Sequence, residues 1–289
     1  MAQQVRMRVL LIGGSGQLGS EILRTWGDCA IAAPGSGELN LEDTGALHRA
    51  LDAETPALVV NCAAFHNVDR CESEPGRAFA VNAQAVDALA RACRDRDVAL
   101  LTIGTDYVFD GNTDRAYVED DVPRPISAYG VSKLAGELLV ERLQMRAFVV
   151  RTCGLYSTRL SSSKRYTFVE RIVSQAQAGE AVRIVSDVVA SPTYAADLAK
   201  ALRALIDTDR YGLYHAASQE PVSWYDFAVR ALRLAGVDAP VEAISADDWK
   251  MPARRPRFSA LASRKLANLG IEMPTWQQGL ADYMRDRVG

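Results

Sequence analysis

The apolar residues in the first half of the chain occur in short runs, separated by segments with helical periodicity. Four runs, at 8–12, 58–64, 99–103 and 147–152, are rich in Val, Leu, Ile and Ala and do not alternate with polar residues. Strands buried on both faces show this pattern, because helices cover both sides of a parallel sheet. Over 79–93, apolar residues recur at helical spacing. The pattern predicts an α/β fold built on a doubly wound parallel Rossmann sheet.

The pattern changes after residue 152, and we expect a small carboxyl-terminal substrate lobe. Segment 157–165 is polar and serine-rich, 166–178 has helical periodicity, and 182–185 has the composition of a late strand. Ser223, with an acid three residues later, can cap a helix, and the Pro- and Arg-rich stretch 251–258 is predicted to be a loop. We predict a dinucleotide-binding domain at 1–156 and 182–211, and a substrate-binding lobe at 157–181 and 212–289.

The composition and charge of the chain limit the kinds of partner that we expect it to bind. The 289 residues are 48% hydrophobic and 24% charged, as in an ordinary globular protein, and the formal net charge is -3. This balance gives no basic field for nucleic acid or an anionic membrane, so we expect a small-molecule substrate. The five cysteines form no CxxC pair, which predicts reduced thiols, no metal site and a cytoplasmic protein.

Three glycines, Gly13, Gly16 and Gly19, follow the first apolar run, with Gln17 and Leu18 between the last two. In this position such glycines allow a tight turn, close approach of the backbone to phosphates and contact between helix and sheet. A flexible turn without a ligand is the alternative for an isolated motif. The preceding strand favours a pyrophosphate site.

The end of the second strand leaves the choice of cofactor open. An acid there favours NAD by binding the 2′-hydroxyl of the adenine ribose, and a nearby Arg favours the 2′-phosphate of NADP. Ser36 stands where the acid is expected, and Glu38 is the one acid in range. NADPH and NADH therefore both remain candidates.

Tyr129 and Lys133 are four residues apart, which places both side chains on one face of a helix. An ammonium beside a phenol favours phenolate character, so we expect a lowered pKa for Tyr129. A solvated helix face is the alternative for this pair alone. Thr105 and Asp106 follow the third apolar run, where ligand groups gather in open α/β sheets, although they could instead cap a turn.

With these residues, the chain resembles the extended short-chain dehydrogenases/reductases, specifically the dTDP-4-dehydrorhamnose reductase family. The resemblance runs nearly end to end. It includes the motifs at 13–19, 61–65, 72–75, 81–83, 105–111, 129–133, 191–193 and 255–256.

The resemblance implies reduction of the 4-keto group of a nucleotide-linked deoxysugar by NADPH or NADH. It implies that Tyr129 protonates the keto oxygen, that Lys133 holds the nicotinamide ribose, and that Thr105 orients the carbonyl. The implied cofactor-binding residues are Gly13, Gly16, Gln17, Leu18, Gly19, Ser36, Asn40, Leu41, Ala63, Ala64, Phe65, Asn82, Tyr129, Lys133 and Cys153. The implied substrate-binding residues are Thr105, Asp106, Val108, Phe109, Tyr129 and Arg255.

The chain departs from the family pattern at Gly154, where relatives resemble Arg-Thr-Ser-Trp and this chain has Arg-Thr-Cys-Gly. We therefore expect no aromatic wall from this segment. Trp224 and Trp249 are expected to pack in the lobe, and His66 is left outside the catalytic set as a loop histidine.

Two other functions share the resemblance. A nucleotide-sugar epimerase or dehydratase would use the same Thr, Tyr and Lys but retain NAD through its cycle. A regulatory subunit like that of methionine adenosyltransferase would be non-catalytic, which the intact Tyr129 and Lys133 disfavour. A homodimer is compatible with either enzyme.

Overall fold

Ten strands organise the chain in the computed structural model, which describes residues 6–159 and 167–288. They are β1 (Arg8–Ile12), β2 (Ala30–Ala32), β3 (Leu58–Asn61), β4 (Ala99–Thr105), β5 (Ala147–Thr152), β6 (Val182–Val185), β7 (Val189–Ala190), β8 (Gly212–His215), β9 (Val222–Ser223) and β10 (Val241–Ile244). Six of them form one parallel sheet in the order β2-β1-β3-β4-β5-β8. The predicted α/β fold with a parallel Rossmann sheet is confirmed.

Helices connect these strands. They are α1 (Gln17–Thr25), α2 (Thr44–Glu54), α3 (Val68–Ser73), α4 (Pro75–Phe79), α5 (Ala85–Arg94), α6 (Ala128–Glu141), α7 (Phe168–Gln177), α8 (Ala195–Ile206), α9 (Trp224–Leu234), α10 (Arg264–Ala267) and α11 (Trp276–Val288). A π-helical segment, Ala80–Gln84, joins α4 to α5, and a 3₁₀ turn, Asp106–Val108, follows β4. The helix predicted over 79–93 is thus a continuous run with a π-bulge inside it.

The strand predictions are correct to within a few residues. The run at 58–64 ends as a strand at Asn61, because residues 62–67 leave the sheet as a loop, whereas the run at 99–103 continues to Thr105. Both faces of the sheet are buried. Leu198 and Leu202 of α8 pack with α1 on one face, and Leu47 of α2 and Leu89 of α5 pack on the other.

The second unit contains α7, α9 and α11 around a separate apolar cluster that includes Ile172, Phe227 and Leu280. Two strands lie on the opposite side of the predicted boundaries. β6 pairs with β10 beside this cluster, and β8 pairs with β5 as the sixth strand of the main sheet. The division into two units stays a prediction. Residues 160–166, most of the serine-rich segment and the start of the helix predicted from 166, lie outside the described residues.

The sheet topology places a ligand crevice. The chain passes from β1 outward to β2, and then returns so that β3 lies on the other side of β1. At such a switch point the loops after the two central strands diverge, and ligands bind outside the carboxyl ends of the strands. Among the described residues, no helix is both long and apolar enough to cross a membrane.

Candidate active site

A cleft of about 440 Å³ opens at the carboxyl ends of β1, β3, β4 and β5. Its lining draws together distant parts of the sequence at the switch point. The predicted site residues that line it are Gly16, Gln17, Leu18, Gly19, Ala63, Ala64, Thr105, Asp106, Tyr129, Lys133 and Cys153.

The glycine loop forms one wall of the cleft. Gly13 has φ +82°, and a Cβ there would lie 2.9 Å from the backbone nitrogen of Ala63, while a Cβ at Gly19 would overlap the Gly13 carbonyl. Gly16 donates its N–H to that carbonyl at 3.0 Å and begins α1 with no side chain over the helix end. Free helix N–H groups beside a glycine cradle fit a pyrophosphate, so the loop suits a dinucleotide.

Asn82 holds the loop after β3 in place. Its Oδ1 accepts the Phe65 N–H at 2.8 Å, and its Nδ2 donates to the Phe65 carbonyl at 3.0 Å and to Ser132 Oγ at 3.0 Å. Ser132 donates in turn to the Tyr129 carbonyl at 2.8 Å. Asn82 therefore links the loop carrying Ala63 and the start of α6. It does not line the cleft, so it acts behind the predicted cofactor site.

Helix α6 presents the Tyr and Lys pair as predicted. Ser127 caps it by accepting the Gly130 N–H at 3.2 Å, and the following turn carries Tyr129 and Lys133 toward the cleft. The Lys133 ammonium is buried and donates to the Ile103 carbonyl of β4 at 2.6 Å. Burial lowers the pKa of Lys133, and the neighbouring Glu137 carboxylate opposes that shift.

The expected lowering of the Tyr129 pKa is wrong for this structure. Burial raises the pKa of Tyr129 above its usual range, and a hydrogen bond with the Thr105 side chain opposes the shift only in part. A hydroxyl in a poorly solvated cleft resists becoming a phenolate, since the charged form loses more solvation than the neutral one. Tyr129 is therefore a protonated phenol at neutral pH, the form that a proton donor needs.

Asp106 has a buried carboxyl group that contacts the Thr105 hydroxyl. It accepts from Thr105 Oγ1 at 3.2 Å and from Cys153 Sγ at 3.2 Å. Burial raises its pKa, against hydrogen bonds from Ser259, Cys153 and Thr105. Cys153 also accepts the Ser191 N–H at 3.3 Å, so this thiol joins the end of β5 to the segment before α8.

A second cavity of about 700 Å³, which we call the lobe cavity, adjoins the cleft beside α7 and α9. Arg255 lines it and forms a two-pronged ion pair with Asp69, with Nη2 to Oδ2 at 2.8 Å and Nη1 to Oδ1 at 3.2 Å. Three more cations on its wall, Arg171, Lys250 and Arg254, have no ion pair with a described residue. The cavity can accept an anionic group.

Two predicted substrate contacts are wrong. Val108 and Phe109 are fully buried and line neither cavity, because the 3₁₀ turn directs them inward. Phe109 stacks on Tyr117 with ring centroids 4.0 Å apart, and the Arg151 guanidinium lies 5.3 Å from its ring centroid.

Several predicted cofactor residues also lie off the cleft. Leu41 is buried in the core with residues of α2, and Ser36 and Asn40 are exposed on the loop after β2. The guanidinium groups of Arg70 and Arg77 lie 5.2 and 5.4 Å from the centroid of the Phe65 ring. Ser36 and Asn40 remain predicted contacts for the adenine end. The Leu41 side chain is buried in the core, and its predicted contact with the cofactor also stays a prediction.

Four residues that line both cavities were missed as site residues: Tyr107, Phe168, Val188 and Trp224. Trp224 packs against the apolar cluster of the lobe, as expected, and its indole also lines both cavities. Trp249, also expected to pack, lines the lobe cavity. His66, left outside the catalytic set, lines the cleft on its exposed side. Sequence spacing alone gives no signal for Tyr107, Phe168, Val188 and Trp224, because the junction is assembled from four separate chain segments.

The sheet, the glycine cradle and the Thr, Tyr and Lys constellation define a short-chain dehydrogenase/reductase. Residues 7–288 match the family model described as RmlD substrate binding domain. A dTDP-4-dehydrorhamnose reductase from Streptomyces griseus is 37% identical, with 98% of this chain and 94% of the relative covered. A protein from Haloferax volcanii named probable low-salt glycan biosynthesis reductase Agl14 is 36% identical, with 95% and 96% covered.

A solved structure gives the same result. The dTDP-4-dehydrorhamnose reductase of Bacillus anthracis str. Ames, crystallised in complex with NADP, superposes with a TM-score of 0.93 at 30% identity, covering 98% of this chain and 100% of that one. The chain belongs to the RmlD family of extended short-chain dehydrogenases/reductases, as the sequence predicted.

Proposed function

We propose that this protein reduces the 4-keto group of a nucleotide-linked deoxysugar, using NADPH or NADH. The observation that carries the proposal is the cleft in which Thr105, Tyr129 and Lys133 meet the glycine loop. A bound nicotinamide nucleotide would supply the hydride. The relatives' names support the class of substrate, and the NADP complex of the Bacillus anthracis enzyme supports the cofactor.

The chain's own groups handle the proton and the geometry. The Tyr129 phenol, protonated at neutral pH, donates its proton to the keto oxygen as that oxygen gains negative charge. Thr105 lies beside this hydroxyl and orients the carbonyl. Lys133, four residues along α6, would favour negative charge at the phenol oxygen after the proton leaves.

The lobe cavity supports a nucleotide diphosphate as the rest of the substrate. Arg171, Lys250 and Arg254 form no ion pair with a described residue and outnumber the two acids of the cavity, Asp110 and Asp247, and guanidinium groups suit phosphate oxygens. Trp249 adds an aromatic surface on the same wall. We therefore place the nucleotide in the lobe cavity and the sugar between the two cavities.

The test is oxidation of NADPH and NADH by the purified protein, with a panel of nucleotide-linked 4-keto sugars generated in situ. The proposal predicts stoichiometric oxidation of one cofactor with at least one 4-keto-6-deoxy sugar. Redox-neutral conversion of the sugar, with NAD retained through purification, would favour an epimerase or dehydratase. Cofactor binding without turnover on any member of the panel would favour a regulatory subunit.

We also propose that the protein works in the cytoplasm and forms a homodimer. All five cysteines are free thiols, which fits a reducing compartment. Val131 and Leu138, two turns apart on α6, are exposed apolar residues that a second copy could cover. Sedimentation equilibrium tests the dimer, and a monomer at micromolar concentration would contradict it.

A further inference from the structure

Few residues form the junction between the two cavities, and most of them are aromatic. Tyr107, Phe168, Val188 and Trp224 are the described residues that line both cavities. We expect a ligand that reaches from the lobe cavity to Tyr129 to pass along this junction, because these residues are shared by both cavities. Its walls therefore contact the part of the substrate between the nucleotide and the reacting carbon.

The backbone at Trp224 is held by both a strand pairing and a helix cap. Its N–H donates to the Val188 carbonyl at 3.1 Å, and the preceding Ser223 pairs with Val189 across the two strands β7 and β9. Ser223 also caps α9 by accepting the Asp226 N–H at 2.9 Å. A strand and a helix therefore both fix the start of the Trp224 side chain.

Gly154 makes room for the indole. This residue has φ +53°, and a Cβ built on it would lie 3.1 Å from Trp224 Cη2 and 3.2 Å from Pro192 Cα. The end of β5 therefore presents bare backbone, and a side chain from the lobe fills the space beside it. Phe168 supports the indole from another side, with ring centroids 4.8 Å apart at 56°.

We propose that Trp224 is a specificity-determining residue, whose indole packs against the sugar ring of the substrate at this junction. The inference rests on the proposed function, and it specifies which sugars that function accepts. A sugar carbon without a hydroxyl makes no hydrogen bond to water, so it loses none when it packs against an aromatic face. A hydroxyl placed there would give up its hydrogen bonds to water without replacement. Trp224 therefore favours 6-deoxy sugars over their 6-hydroxy counterparts.

Steady-state kinetics of Trp224→Ala, Trp224→Phe and Trp276→Ala test the proposal. For a 4-keto-6-deoxy substrate, we expect Trp224→Ala to raise KM about 10- to 100-fold, with a smaller change in kcat and an unchanged KM for NADPH. Trp224→Phe should recover most of the loss. Trp276 is the matched control, because it packs against Phe227 in the same cluster but lines neither cavity. Equal effects of the two Ala variants would contradict the proposal.

A double-mutant cycle with Gly154 separates packing on the substrate from general damage. Gly154→Ala should raise KM for the sugar, because the new methyl displaces the indole. In the Trp224→Ala background that clash is absent, so the second substitution should add less than it does alone. Fully additive effects on KM would show that the indole and Gly154 do not share the sugar site.

Equilibrium binding keeps this inference separate from the proposed reaction. Calorimetric titration with dTDP and with a dTDP-linked 6-deoxy sugar measures the sugar's own contribution to affinity, without turnover. Trp224→Ala should remove most of that difference and leave dTDP affinity unchanged. A wild-type protein that reduces no 4-keto sugar would overturn the reductase proposal alone. A sugar contribution that is unchanged in Trp224→Ala would overturn the role of Trp224, whatever the reaction.

Discussion

Asn82 connects two parts of a site that it does not line. It is buried in the π-helical segment, and its amide joins the loop after β3 to helix α6 through Phe65 and Ser132. Gly136 on α6 lies so close to the Asn82 carbonyl that a Cβ there would overlap it. The π-bulge, a feature found often at functional sites, therefore sets the spacing between the loop and the helix.

Asn82→Ala should lower the affinity for NADPH about tenfold, because it leaves the Phe65 backbone groups without partners and frees the loop carrying Ala63 and Ala64. Fluorescence titration with NADPH measures the effect. Gln84→Ala, an exposed position in the same segment, is the control and should bind NADPH as the wild type does. An Asn82→Ala protein of reduced stability but unchanged NADPH affinity would assign the residue to folding alone.

The buried residue His215 leads to a second prediction, which concerns how the stability of the protein depends on pH. Burial, followed by the nearby Arg151 cation, lowers the pKa of His215 to about 3. The folded protein therefore keeps this imidazole neutral down to that pH, whereas the unfolded chain takes up the proton near the ordinary value of about 6.5. This contribution to the free energy of unfolding is fully present above the unfolded-state pKa of His215. It is lost as the pH falls from there toward the folded-state pKa of about 3.

We expect the free energy of unfolding of the wild type to fall with decreasing pH between about 6 and 3, by up to about 1.4 kcal/mol per pH unit more than in His215→Asn. Urea denaturation at several pH values measures this difference. His48→Asn, at an exposed position on α2, should follow the wild type. Parallel pH profiles for the wild type and His215→Asn would refute the assignment.

At the scale of elements, α6 is held against the sheet by a buried ion pair directly behind the catalytic residues. Glu137 Oε2 accepts from Arg151 Nε at 2.9 Å and from Nη2 at 2.8 Å, with side chains that are 8% and 3% exposed. Gly104 of β4 leaves room for the carboxylate, since a Cβ there would lie 2.5 Å from Glu137 Oε1. The pair fixes the register of α6 against β4 and β5, and so the distance from Lys133 to Ile103.

Glu137→Gln should destabilise the protein by about 3–5 kcal/mol, because it keeps the shape of the side chain and leaves a buried guanidinium without its anion. Chemical denaturation gives the free energy of unfolding. The control is Glu242→Gln, which breaks the exposed pair with Arg183 between β10 and β6 and should cost at most about 1 kcal/mol. Similar losses in the two variants would mean that the buried pair does not clamp α6.

The elements also show what could be predicted from the sequence. Strands β1 and β5 were predicted to the residue, and the Tyr129 and Lys133 pair came from helical spacing, because these depend on local patterns. Val108 and Phe109 were assigned to the substrate for their place in a motif. Their burial depends on Tyr117 and on Arg151 from β5, which no local pattern could reveal. The predicted lowering of the Tyr129 pKa was wrong for the same reason, since the burial of this hydroxyl is a property of the assembled cleft.

In the whole molecule, two adjoining cavities form the site, and residues from both the predicted sheet domain and the predicted lobe line each of them. The loop after β1 supplies the glycine cradle and helix α6 the proton donor, while the predicted lobe supplies cations and, with Tyr107 from the turn after β4, the aromatic junction. Trp224 and Trp249 escaped prediction because their role depends on how these two parts meet. The chemistry at the centre still depends on one hydroxyl, that of Tyr129.

The most direct test compares wild type with Tyr129→Phe in NADPH oxidation, using a 4-keto-6-deoxy nucleotide sugar. The variant keeps the ring and its edge contact with Tyr107, whose centroid lies 5.8 Å away, and loses only the proton donor. We predict a loss of turnover of at least about 100-fold, with NADPH affinity nearly unchanged. Turnover equal to that of the wild type would contradict the account, because the proton would then come from another group.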